Sequence, residues 1–184
     1  MRRLSLILAA VVMGFIMTSC DSSVKDSIMK DVDNYFTEAE RKLAAIDNAE
    51  DFITFAISMN DRSEISNALE ERYEGKEISE EDQEAIETYI YDRASAYNQA
   101  EGMKCGEFLT PRMERFVNAV EALYNNRDEL DEETFTAMFK EMDEAENEVL
   151  KFAKCENIPG ELINMFSVAE AKRSEMFDKP MAEE

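Results

Sequence analysis

From residue 27 onward, apolar side chains return every three or four positions, and charged or amide side chains fill the gaps. Ile28, Val32, Tyr35, Phe36, Ala39, Leu43 and Ile46 share one face of a helix. Asp47, with Glu50 three residues on, predicts a reciprocal cap for a second helix that turns Phe52, Phe55, Ala56 and Met59 inward. The pattern weakens at Asn60-Asp61-Arg62-Ser63, where a kink or brief break is expected, then resumes through Ile65, Leu69 and Tyr73 until Gly75 ends it. Ser79 with Asp82 predicts the cap of a third helix, with Ile86, Tyr89, Ile90, Tyr97, Ala100 and Met103 inward. Thr110 and Pro111 fit an N-cap followed by the first helical position, where the missing proline N–H costs nothing. A fourth helix would then bury Met113, Phe116, Val117, Val120, Leu123 and Tyr124. Leu130, Asp131 and Phe135 make a hydrophobic staple around an aspartate cap for a fifth helix, which continues through Met138, Phe139, Met142, Ala145, Val149 and Phe152. Asn157-Ile158-Pro159 opens a sixth, with Leu162, Ile163, Phe166, Ala169, Met176 and Phe177 inward.

Short connections between amphipathic helices favour antiparallel neighbours. The expected fold is all-α: an antiparallel helical bundle of about six helices arranged as three αα-hairpins, a single domain over residues 27–178. Residues 179–184 are expected to form a disordered tail. The chain's 5 glycines and its lack of clustered β-branched residues argue against a sheet. Between the third and fifth helices the starts lie 52 residues apart, the cysteines that follow them 50 and the next prolines 48, which hints at a duplicated hairpin. The residue identities carry the hint no further.

The apolar run from Leu4 to Met17 has a different character. It follows Arg2-Arg3, is too short to span a bilayer and has the length of a secretory leader's hydrophobic region. It ends at Met17-Thr18-Ser19-Cys20. This segment resembles the lipobox of bacterial lipoproteins, in which a hydrophobic residue and two small residues precede a cysteine; methionine stands where leucine is usual. The resemblance covers only the first 20 or so residues. It implies removal of the signal peptide, residues 1–19, attachment of a diacylglyceryl group to Cys20, and usually acylation of the new amine. Residues 20–26 would then be an acylated tether, and the mature protein a membrane-anchored lipoprotein on an extracytoplasmic, periplasmic or surface face. At ~0.8 kcal/mol per buried methylene, two or more acyl chains anchor stably where one does not.

Charge narrows the range of partners. Loss of Arg2 and Arg3 with the leader takes Lys+Arg from 20 to 18 against 42 acids, and the formal charge from −22 to −24. A field of that sign repels phosphate backbones, so no nucleic-acid partner is expected. Cysteine usage agrees with export. In an up-and-down bundle the ends of the third and fifth helices meet, bringing Cys105 and Cys155 together where disulfides persist. A Cys105–Cys155 bond is expected, closing about 50 residues and stabilising by ~4 kcal/mol in the chain-entropy model. The alternative is a pair of reduced, buried thiols.

Candidate chemistry is sparse. Without histidine the usual hydrolase triads, zincin sites and Glu-x-x-His di-iron sites are excluded, and two cysteines are too few for a closed zinc site. Paired carboxylates remain available, but the chain lacks the tryptophan that sugar clefts favour. No catalytic residue, metal site or cofactor is assigned. Glu70, Glu71, Glu74, Glu77, Glu80, Glu81, Asp82, Glu84 and Glu87 form an acidic stretch, either a docking surface for a basic partner or a solvated hairpin tip. No D-x-D-x-D-G loop makes it an EF-hand. Arg93 and Arg173 fall on apolar stripes, where a charge calls for a buried ion pair or an anionic ligand. Three of the 12 methionines lie in the leader, and adaptable packing accounts for the rest. The expected function is an interaction or assembly accessory module in the bacterial envelope, anchored to the membrane by lipid and bound to an envelope protein. The alternative is a small-ligand or cation binding lipoprotein with its site between helices.

Overall fold

A computed structural model describes residues 22–60 and 63–178. The leader, Cys20 and the expected tail at 179–184 lie outside the described residues. Within them the chain is α-helical and contains no strand. The helices are α1 (Ser22–Ala44), α2 (Ala49–Asn60), α3 (Ser63–Tyr73), α4 (Glu80–Asn126), α5 (Glu132–Leu150) and α6 (Gly160–Asp178), with a short 3-10 turn at Arg127–Glu129. Helix α1 begins at Ser22, so residues 22–26, expected as part of a tether, belong to the first helix.

Local capping explains most of the boundaries. Before α2, Asn48 Oδ1 accepts from the Asp51 N–H at 2.9 Å, and Asn48 Nδ2 donates to Asp51 Oδ2 at 2.8 Å. The reciprocal cap is therefore one residue later than the Asp47–Glu50 pair. Gly75, just beyond α3, has φ +74, a left-handed conformation that glycine adopts without a Cβ clash. Ser79 Oγ accepts from the Asp82 N–H at 3.2 Å, as its position before α4 requires. Asp131 Oδ1 accepts from the Thr134 N–H at 2.8 Å and starts α5. The break expected at Asn60-Asp61-Arg62-Ser63 falls on residues 61–62, which lie outside the described residues; α2 ends at Asn60 and α3 begins at Ser63.

The boundary expected at Thr110-Pro111 does not exist: the third and fourth helices of the sequence reading are one 47-residue helix, α4, with Pro111 inside it. An interior proline removes one helical hydrogen bond and costs ~3 kcal/mol. Against that cost stands a continuous buried row at Leu109, Met113, Phe116, Val120 and Leu123, each at most 2% exposed. Burial of a side chain of this size contributes roughly 1.5–3 kcal/mol. Two such side chains offset the proline, and α4 has several on each side of it. The division into three hairpins rested on the missing boundary.

The described residues form two compact units. The first joins the described residues up to Ile46 with Ile57–Glu101. Its core holds Ile28, Val32, Phe36, Leu69, Ile86 and Tyr97. Helix α3 is tied to α1 by the Tyr73 hydroxyl, which donates to Asp31 Oδ2 at 2.7 Å, and by an Arg72–Asp31 ion pair at 2.6 Å. The second unit joins Asp47–Ala56 with the described residues from Gly102 on. Phe52 is fully buried there, with ring centroids 5.7 Å from Phe108 and 6.2 Å from Phe152. Phe116 and Phe166 stack at 5.4 Å and bring α6 onto α4. Ile163, Phe177 and Met103, expected to face inward, are 53%, 56% and 73% exposed.

Candidate functional site

The acidic stretch remains largely at the surface. Glu70, Glu71 and Glu74 lie on or just past the end of α3, Glu77 in the connection, and Glu80, Glu81 and Glu84 on the first turns of α4; all are exposed. Asp82 and Glu87 are half-buried. Asp82 Oδ1 receives a 2.7 Å hydrogen bond from Lys25 Nζ. That bond, with help from Ser79, holds the Asp82 carboxyl below its ordinary range. Acids gathered at the start of α4 also complement the positive end of the helix dipole.

Arg93 and Arg173 both occupy carboxylate cages. Arg93 Nη1 donates to Glu40 Oε1 at 3.1 Å, Nε stands 3.0 Å from Asp33 Oδ1, and the guanidinium lies 5.9 Å from the Phe36 ring centroid. The Glu40 hydrogen bond raises its pKa. Arg173 pairs with Glu146 at 2.7 Å, with Glu170 at 3.3 Å and with Asp143 at 3.8 Å. Burial works against the Arg173 charge, but Glu146 and Glu170 outweigh it and leave the pKa raised. Both arginines are thus held in ion pairs, and neither lines the grooves described next.

Among the described residues, three of the concavities lie in the second unit. An open groove of about 430 Å³ runs beside Pro111, with Glu114, Arg115 and Asn118 from α4 and Met138 and Glu141 from α5 on its walls. A smaller one of about 160 Å³ lies along α6 at Asn164, Val168 and Lys172, against Val117 and Glu121 of α4. The third, about 130 Å³, is lined almost wholly by apolar side chains, including Leu109, Met113, Leu150, Phe152, Leu162 and Ile163. Leu150 is 45% exposed and Ile163 53%, so the apolar lining of this groove reaches the surface. Val168, on the second groove, is 51% exposed.

Cys105 and Cys155 are both buried, but no disulfide joins them. Their places along the helices also differ from those expected. Cys105 is not beyond a helix end but inside α4, whereas Cys155 sits in the turn after α5. The resemblance to a duplicated hairpin fails at the same point.

Sequence reading missed Glu101, which is only 1% exposed. It stands four residues after Tyr97 and four before Cys105, both fully buried on the same face of α4. A carboxyl placed so deeply requires compensation for its lost hydration. The regular spacing 97, 101, 105, 109, 113 is the available signal, but Ala100 and Met103 offer apolar alternatives for the inward face of the same helix. Among the described residues no cluster of three or more acidic or cysteine side chains is arranged to hold a metal, and no helix is long and apolar enough to cross a membrane. Compared with protein-family models, curated proteins and solved structures, the chain matches none of them.

Proposed function

We propose that this chain is a lipid-anchored extracytoplasmic protein that acts as an interaction or assembly accessory module in the bacterial envelope, its helices running as an antiparallel bundle. Two separate features support the reading. The lipobox-like Met17-Thr18-Ser19-Cys20 supplies the anchor and the export route. The observation that carries the interaction role is the apolar groove at Leu150 and Ile163, with Val168 exposed further along α6. Leu150 and Ile163 line one apolar groove rather than standing singly, and an apolar concavity open at the surface offers a place for a partner's apolar side chain. The alternative, a small-ligand site between helices, would gain support from Arg93 or Arg173 aimed into a cavity. Their engagement with Glu40, Asp33, Glu146 and Glu170 favours a structural role for both.

The test is site-specific photo-crosslinking in intact cells. A crosslinker at Leu150 or Ile163 should capture one and the same envelope protein, and a crosslinker at exposed Lys140 should not. Ile163→Glu should abolish capture from position 150. Equal capture of unrelated proteins from all three positions, or capture of none, contradicts the proposal.

A further inference from the structure

We propose that Cys105 and Cys155 form a disulfide that clips the connection between α5 and α6 onto the middle of α4. The two residues are 0% and 6% exposed and belong to the same compact unit. The backbone on either side of each shows that their segments touch. Gly102 lies three residues before Cys105 and Gly106 directly follows it, so both glycines flank it on α4. A Cβ on Gly102 would lie 3.2 Å from the Asn157 carbonyl oxygen, and one on Gly106 would lie 3.6 Å from Pro159 Cγ. Asn157 and Pro159 come two and four residues after Cys155. The contact continues on the other side of both cysteines. Phe108, three residues past Cys105, and Phe152, three residues before Cys155, both touch the Phe52 ring. Leu109 and Phe152 share the wall of one apolar groove. The Cys155 N–H donates to the Phe152 carbonyl at 2.9 Å and folds the turn that carries the thiol back toward this cluster. The α4 segment that carries Cys105 therefore lies against the segment that carries Cys155: Gly102 and Gly106 face Asn157 and Pro159, and Phe108 and Phe152 share the Phe52 ring.

The step requires an oxidant, and a disulfide-bearing one suffices. The thiolate of one cysteine attacks a sulfur of the oxidant, RSSR, and breaks its S–S bond. One RSH leaves and a mixed disulfide forms on the protein. The second cysteine attacks that protein sulfur and releases the other RSH. The two protons lost from the protein thiols end on the two RSH, and one protein S–S bond replaces the oxidant's. The covalent clip would fix the connection beneath Leu150 and Ile163, the edge of the groove assigned to the partner. The clip does not depend on that partner, because it needs only the two thiols and the segments that carry them.

Trypsin provides a clean reading, since Lys104 and Lys154 immediately precede the two cysteines. Full-length protein is incubated folded with oxidised glutathione, alkylated in denaturant and digested. The expected product is a single linked species of peptides 105–112 and 155–172 that disappears on reduction. Urea unfolding should then show an unfolding constant about a hundred- to a thousand-fold smaller in the oxidised than in the reduced protein. Cys105→Ala and Cys155→Ala should each remove that difference. Recovery of both peptides alkylated, glutathionylated singly or linked to the peptide carrying Cys20 overturns the proposal, as does a linked species whose stability equals that of the reduced chain.

Discussion

Arg93 shows how a charge is accommodated on a face that packs. Its guanidinium lies over the Phe36 ring and pairs with Asp33 and Glu40, while 20% of the side chain stays accessible. Partly solvated pairs of this kind contribute up to ~1 kcal/mol. Arg93→Met should therefore lower stability by about 1 kcal/mol, whereas Phe52→Ala, which empties a fully buried ring site, should cost about 3–5 kcal/mol. Paired urea denaturation curves measure both. Tyr73 makes a prediction in pH. Burial, and then the hydrogen bond to Asp31, push its pKa from 10.0 up to about 12. The folded state thus holds the phenolic proton more tightly than the unfolded chain. The resulting stabilisation is complete below pH 10.0 and disappears as pH rises through about 12. Tyr73→Phe should flatten stability across that interval, measured by urea midpoints at successive pH values. Arg93 and Arg173 were visible in the sequence because a charge on an apolar stripe breaks its pattern. Glu101 was not, because the apolar Ala100 and Met103 beside it compete for the inward face and a lone carboxylate gives no reason to prefer its own register.

At the level of the elements, periodicity and caps were legible, and the interruption in the longest helix was misread. Proline is equally suited to a first turn and to a tolerated kink, and only the buried row on both sides of Pro111 distinguishes them. Pro111→Ala should stabilise the protein by about 2 kcal/mol, the ~3 kcal/mol interior penalty less the ~1 kcal/mol lost by loosening the unfolded chain. A higher urea midpoint with an unchanged slope would register it. The two glycines of α4 make a sharper comparison. Gly106→Ala has ordinary contact distance to Pro159 and should gain about 1 kcal/mol of helix propensity. Gly102→Ala crowds the Asn157 carbonyl at 3.2 Å and should gain distinctly less or destabilise. The Asn48–Asp51 cap differs from the expected one by a single position because Asp47 and Asn48 are equally good caps, and local sequence cannot choose between adjacent candidates.

For the molecule as a whole, the chain's acidity sets how it responds to its medium. With 42 acids against 20 basic side chains, repulsion among exposed carboxylates exceeds what the surface ion pairs return. Added salt up to a few tenths molar should therefore raise the thermal midpoint, as screening shortens the reach of like charges to below about 10 Å. Helical class was legible because an amphipathic period is written into nearly every segment. The candidate binding groove was not, since Ile163 follows the same period as the core residues of its helix, Leu150 stands beside that stripe next to Val149, and only the packing shows that both are left uncovered on one groove. The proposed anchor, by contrast, rests on sequence alone, and the proposed location, oxidised clip in the cell and envelope partner all depend on it. Mass spectrometry of the N-terminal peptide from protein extracted from bacterial membranes tests it most directly. The account predicts a chain that starts at Cys20 and carries a diacylglyceryl thioether; a chain that retains residues 1–19, or an unmodified Cys20 thiol, would contradict it.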